Sequence, residues 1–168
     1  MDELARLITP KTKAILINTP SNPTGGVMTR EDVDQLAALV MERKLWVFAD
    51  EAYEDFVFDG HEHFSIASWP GLYERTIPLY TLSKTYAMTG LRLGYLAIKD
   101  KKINERARKI VSLTTSNVSS LIQYGAVGAL QGPRQVVDDF RIELGARRDL
   151  FYEKLPKASK GILSGAPP

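Results

Sequence analysis

A chain of 168 residues is long enough for one domain with a core of its own. Its 44% hydrophobic and 25% charged residues match an ordinary globular composition. A net charge of +2 with no basic block argues against nucleic acid as a partner, and the absence of cysteine excludes disulfides and thiolate chemistry. No apolar run reaches the length of a membrane span, and the acidic start Met1-Asp2-Glu3-Leu4 lacks a signal-peptide pattern, so the expected location is cytoplasmic.

Asp2 to Ile8 reads as a short helix, broken by Thr9-Pro10-Lys11-Thr12. Ala14 to Ile17 is a continuous apolar run, as expected of a strand covered on both faces. It runs into a loop dense in turn residues, Asn18 to Gly26. Thr29 suits an N-cap with Asp32 as its reciprocal partner, and Val33, Leu36, Ala37 and Val40 share one face of a helix over Arg30 to Lys44. Leu45 to Ala49 is a second strand, stopping at Asp50-Glu51-Ala52-Tyr53. Strand, helix, strand at this spacing is a crossover unit and predicts parallel pairing. Glu54 to Gly71 reads as an irregular surface excursion, and Thr76 to Tyr80 as a third strand. Leu91 to Ile98 is a fourth strand, reached through a short turn at Gly90 and therefore antiparallel or at an edge. Helices follow. Ile103, Ala107, Ile110, Val111 and Thr114 share a face; Thr115-Ser116-Asn117 interrupts and offers a cap; Leu121 to Leu130 continues to Gly132-Pro133. Val136 to Phe151 marks a long last helix ending near Pro156. The fold class is α/β: a mostly parallel sheet of about four strands, the last antiparallel, followed by long helices.

Ligands of such a sheet bind outside the carboxyl ends of its strands. The first strand delivers Asn22 there, the second Asp50 and Tyr53, the third Thr81, Ser83 and Lys84. A lysine at a strand end can serve as an amine nucleophile. Arg92, with the hydroxyls just upstream, suits a phosphate. Amine and phosphate grip together fit an aldehyde cofactor bearing a phosphate. Each part also has a plainer reading. Asn22-Pro23-Thr24-Gly25 is a good turn, Asp50 a possible cap, Tyr53 a core ring, Arg92 a surface ion-pair partner and Lys84 a solvated charge. His61 and His63 lack a matching ligand motif and read as loop residues, so no metal is expected.

The three stretches Asn22 to Gly25, Asp50 to Tyr53 and Ser83 to Tyr95 resemble the large domain of class I/II aminotransferases, pyridoxal-phosphate enzymes of fold type I. Their flavour is that of aspartate and aromatic aminotransferases. The resemblance covers nearly the whole chain and implies a partial three-layer α/β/α large domain over residues 1–156, with 157–168 leading toward a small domain. It implies that Lys84 holds pyridoxal 5'-phosphate as an imine and later shuttles the substrate α-proton. Asp50 would pair with the pyridine nitrogen. Tyr53 and Asn22 would bond the phenolic oxygen, with Asn22-Pro23 cis. Thr81, Ser83 and Arg92 would hold the phosphate. Leu91 stands where close relatives often carry tryptophan. The implied reaction is transamination between an amino acid and a 2-keto acid in a homodimer.

The same resemblance implies departures. Family members are more than twice as long, and the glycine-rich phosphate loop, the aromatic that stacks on the cofactor and the arginine for the substrate carboxylate have no counterpart here. A fragment of a longer enzyme is the leading expectation, since Asn22, Asp50, Tyr53, Lys84 and Arg92 are all intact. The alternatives are a non-catalytic, cofactor-binding chain, or another fold type I enzyme such as a decarboxylase or synthase.

Overall fold

The computed structural model describes residues 1–158. A short helix α1 (Asp2–Leu7) precedes strand β1 (Ala14–Asn18). Helix α2 (Arg30–Arg43) crosses to β2 (Trp46–Asp50), and β3 (Thr76–Thr81) follows the excursion. One turn of helix, α3 (Leu82–Thr85), carries Lys84, and β4 (Gly94–Leu96) returns beside β3. Helices α4 (Lys101–Thr114), α5 (Ser120–Gln131) and α6 (Gln135–Ala158) complete the described chain.

The sheet has the order β1-β2-β3-β4. The first three strands are parallel and β4 is antiparallel at the edge, as the short connection predicts. The fourth strand is shorter than its apolar run. Thr89–Leu91 winds into a 3-10 turn and Arg92 takes a left-handed conformation at φ 54°, so pairing begins only at Gly94. A Cβ on Gly94 would lie 2.6 Å from the Tyr80 carbonyl oxygen, so a larger residue there would push β4 off β3.

The capping box forms as read. The Thr29 hydroxyl accepts from the Asp32 N–H, and the Asp32 carboxylate accepts from the Thr29 N–H at 2.9 Å. The Thr29 hydroxyl, which also donates to the Asp32 carboxylate at 2.7 Å, and the Thr29 N–H together hold that carboxyl below its usual range. Val33, Leu36, Ala37 and Val40 are buried as their spacing predicts. Leu36, Ala37 and Val40 pack on Ile15, Val47 and Ala49 of the sheet. Ile66, with Trp69 packed against the cluster, and Leu72 just after Gly71 complete this core, so the stretch from Glu54 to Gly71, irregular as expected, is more than a surface excursion. Its contribution rests on apolar residues that follow no helical or strand period.

Two burial expectations fail. Cover on both faces of β1 does not hold: Leu16 is 71% and Phe48 38% exposed, side by side in register on the face away from α2. In α4, Ile103 and Ala107 are partly covered, while Ile110 and Val111 stay exposed because no described element packs over them. The interruption at Thr115 to Asn117 is present, with Ser116 at φ 60°, but Ser119 makes no side-chain cap to α5. Helix α6 is anchored to the excursion instead of the sheet. Phe140 meets Phe56 edge-on at 5.7 Å, and Arg148 grips Asp59 with two bonds of 2.7 and 2.8 Å. The helix runs past the expected end near Pro156 to Ala158, the last described residue; residues 159–168, most of the expected tail, lie outside the described residues.

This packing predicts unequal costs for two leucines. Leu36→Ala, at a fully buried position, should destabilise the chain by about 3 kcal/mol, whereas exposed Leu16→Ala should cost less than about 0.5 kcal/mol. Urea unfolding of both variants against the parent chain measures the difference.

Candidate functional site

The three parallel strands end at one edge, where Asn18 pairs in register with Asp50 and Asp50 with Leu79. The loop after β1 is pinned across the end of β2. The Asn18 side chain donates to the Asp50 carbonyl at 3.4 Å and accepts from the Asn22 N–H at 3.0 Å. Buried Thr19 donates its own N–H to the same Asp50 carbonyl at 3.2 Å and accepts from the Met28 N–H through its hydroxyl at 3.0 Å. Both Thr19-Pro20 and Asn22-Pro23 are cis.

That loop brings Asn22 onto Tyr53. The Asn22 amide donates to the Tyr53 hydroxyl oxygen at 3.0 Å across 31 residues of sequence. Tyr53 comes from the turn after β2, which is held by an Asp50 carboxylate oxygen accepting from the Ala52 N–H at 3.2 Å. The Lys84 ammonium lies 5.6 Å from the centroid of the Tyr53 ring, within cation–π range. Asn22, Tyr53 and Lys84 are therefore one contiguous set, with half-buried Asp50 at the base of the turn that carries Tyr53.

The lysine turn is built locally. Thr81 caps α3: its hydroxyl accepts from the Ser83 N–H at 3.1 Å and donates to the Leu93 carbonyl at 3.3 Å. Ser83 is buried, and its carbonyl accepts from the Thr89 hydroxyl at 2.8 Å. Arg92 is exposed and donates to the Thr89 carbonyl at 3.0 Å. Thr81, Ser83 and Arg92 thus share one loop through Thr89 and Leu93. Among the described residues no hydrogen bond joins Arg92 to Thr81 or Ser83 directly.

Several supporting residues escape sequence reasoning. Glu51 is 0% exposed. Its carboxylate accepts from the Ile66 N–H at 3.0 Å and from the Tyr80 hydroxyl at 2.9 Å, so it joins the ends of β2 and β3 to the excursion. Burial pushes the Tyr80 hydroxyl well above the usual phenol range, and the Glu51 charge adds to it. Buried Thr85, next to Lys84, donates to the Asp55 carboxylate at 2.8 Å, and Asp55 in turn pairs with Arg134 at the foot of α6. That bond raises the Arg134 guanidinium above its ordinary value. Glu54 is pushed up to about 7 by desolvation first, then by the charges of Asp55 and Glu51. The one available signal was a second carboxylate directly after a buried strand, which must find donors if it is itself buried.

The comparisons with known proteins extend from this geometry. The family model for aminotransferase class I and II matches residues 1–166. The chain belongs to the class I and II aminotransferases. It is 44% identical over 157 residues to aromatic-amino-acid aminotransferase 2 of Thermococcus litoralis, covering 92% of this chain and 40% of that protein. It is 41% identical over 157 residues to an aspartate aminotransferase of Pyrococcus abyssi, with the same shares covered. Among solved structures, an aromatic aminotransferase from Pyrococcus horikoshii OT3 superposes with a TM-score of 0.87 at 42% identity, over 93% of this chain and 42% of that one. The chain thus spans about 40% of the length of the curated relatives it matches. The α/β fold of this chain matches the corresponding part of a solved aminotransferase.

The Glu51 contacts carry a prediction. Glu51→Gln keeps the shape but turns an NH2 toward one of two donors, and should cost about 1–3 kcal/mol; Tyr80→Phe removes a single bond and should cost about 1 kcal/mol. A double-mutant cycle by urea unfolding should return a coupling of about 1 kcal/mol between them, and additive effects would count against the Glu51–Tyr80 bond as a stabilising contact.

Proposed function

We propose that this chain is the catalytic half-site of a pyridoxal-phosphate-dependent aminotransferase, which exchanges an amino group between an amino acid and a 2-keto acid. The Asn22–Tyr53–Lys84 contact set carries the reading. The donor set suits this cofactor: one amine, one carboxylate, two neutral donors, and hydroxyls with a guanidinium, all at the carboxyl ends of three parallel strands. Membership of the family supports the same assignment.

When bound, pyridoxal 5'-phosphate supplies the electron sink that makes the substrate α-proton removable. The residues of the chain do the rest. Lys84 would hold the cofactor through Nζ, and the same amine, when free, would take the substrate α-proton and return it. Asp50 would pair with the pyridine nitrogen, its negative charge favouring the protonated ring. Tyr53 and Asn22 would donate to the phenolic oxygen, and the bond between them keeps the two side chains together. Thr81, Ser83 and Arg92 would hold the phosphate, Arg92 as the charged partner.

In the same reading, residues 1–156 belong to the cofactor-binding domain and 157–168 lead toward a small domain. The working protein is a cytoplasmic homodimer. Exposed Leu113, Leu121 and Tyr124 on α4 and α5 support burial against further protein, and no described helix is long and apolar enough to cross a membrane.

Trapping tests the reading directly. Purified chain mixed with pyridoxal 5'-phosphate and reduced with borohydride should carry one covalent adduct on Lys84 by peptide mass spectrometry. Lys84→Ala should carry none, and Tyr53→Phe should need several-fold more cofactor for half labelling. A label on another lysine, or no label, would overturn the assignment.

A further inference from the structure

We propose that Glu51, Glu54 and His63 form a site for one first-row divalent cation beneath the turn that carries Asp50 and Tyr53. One ligand atom from each of the three lies within 4.8 Å of the others. The His63 side chain is 9% exposed, and its Nε2 is buried with no hydrogen-bond partner. It points at the cluster, 3.8 Å from a Glu51 carboxylate oxygen. A buried imidazole nitrogen with no partner is costly, and a cation shared with neighbouring carboxylates would satisfy it.

The distances decide whether an ion fits. Metal–ligand bonds of about 2.0–2.2 Å place tetrahedral ligand atoms about 3.3–3.6 Å apart. The His63–Glu51 pair is already close to that spacing, and no pair of the set needs more than about 1.5 Å of closure, within the reach of a glutamate rotamer. The Glu51 oxygen that accepts from Tyr80 keeps a second lone pair for a ligand bond.

Charge points the same way. Glu51, Glu54 and Asp55 bring three carboxylates together, and Arg134 pairs with Asp55. A dication would offset the remaining two. One imidazole and two carboxylates suit zinc, cobalt or manganese better than the all-oxygen preference of calcium or magnesium. Glu54, His63 and Ser65 line a cleft of about 500 Å³, which gives an entry path. His61 also lines the cleft but lies outside the ligand set, so the site differs from a simple His-x-His pair. A bound ion would tie the turn of Asp50 and Tyr53 to the excursion, and the site stands independently of the aminotransferase reading.

Titration of the chain with zinc chloride alone, without cofactor, tests the proposal by calorimetry. One equivalent should bind, and cobalt(II) should give a visible absorption band that zinc displaces. His63→Gln and Glu54→Gln should each weaken binding at least tenfold, while His61→Gln leaves it unchanged. Circular dichroism checks the fold of each variant, and Glu54→Gln, at a half-buried position, decides the matter should His63→Gln not fold. Absence of binding by the parent chain, binding unaffected by Glu54→Gln, or binding lost in His61→Gln would overturn the site.

Discussion

The parallel pairing of β1, β2 and β3 is the constraint on which the rest depends. Parallel strands joined by crossovers all finish on the same edge of a sheet. In register, Asn18 stands beside Asp50, and Asp50 beside Leu79, two residues before Thr81. Three loops that are remote in sequence must therefore leave the sheet within a few ångströms of one another. Pairing that reversed β2 would carry Asp50 and Tyr53 to the opposite edge. The Asn22–Tyr53 bond, which spans 31 residues, is a consequence of strand direction more than of any loop preference.

Strand direction brings the loops together, but it does not hold them still. Two carboxylate systems do that, one buried and one partly buried. Glu51 locks the ends of β2 and β3 to the excursion through Ile66 and Tyr80. Asp55 locks the residue after Lys84 to the foot of α6 through Thr85 and Arg134. Both lie within two residues of a proposed site group, Asp50 or Tyr53. Buried charges are costly unless fully bonded, so such anchors are tolerated where fixed geometry matters more than minimum cost. The Glu54 carboxyl between them is raised first by desolvation and then by the charges of Asp55 and Glu51.

Legibility in the sequence follows the range of the interaction. The crossover unit was readable because Ile15, Val47 and the Val33 to Val40 stripe obey local periods. The capping box was readable because Thr29 and Asp32 are three residues apart. The groups proposed to face the cofactor were readable because strand ends collect them. Ile66, Leu72 and Glu51 were hidden because their burial depends on a loop folding back, and no period announces that. The open side of Leu16 and Phe48 was misjudged for a related reason: an apolar run reports that a residue prefers cover, not whether cover is supplied within the chain. The fourth strand was overdrawn because the left-handed Arg92 is set by the 3-10 turn before it, which apolar content conceals.

The site itself divides along the same line. Of the groups proposed to face the ring, Tyr53 stands between Glu51 and Asp55 while Asn22 is held by the loop bonds of Asn18 and Thr19, and Lys84 sits on a turn whose neighbours Ser83 and Thr85 are both buried. Arg92, the proposed phosphate partner, is exposed and donates to the Thr89 carbonyl of its own loop. Packing thus fixes the turn on which Lys84 stands, while Arg92 reaches out from an exposed position beside it. The 3-10 turn that sets the left-handed Arg92 backbone also carries the Thr89 bond to Ser83. The backbone of Arg92 is therefore tied, through Thr89 and Ser83, to the turn that carries Lys84, and that tie is what brings the proposed phosphate partner and the proposed amine into one loop.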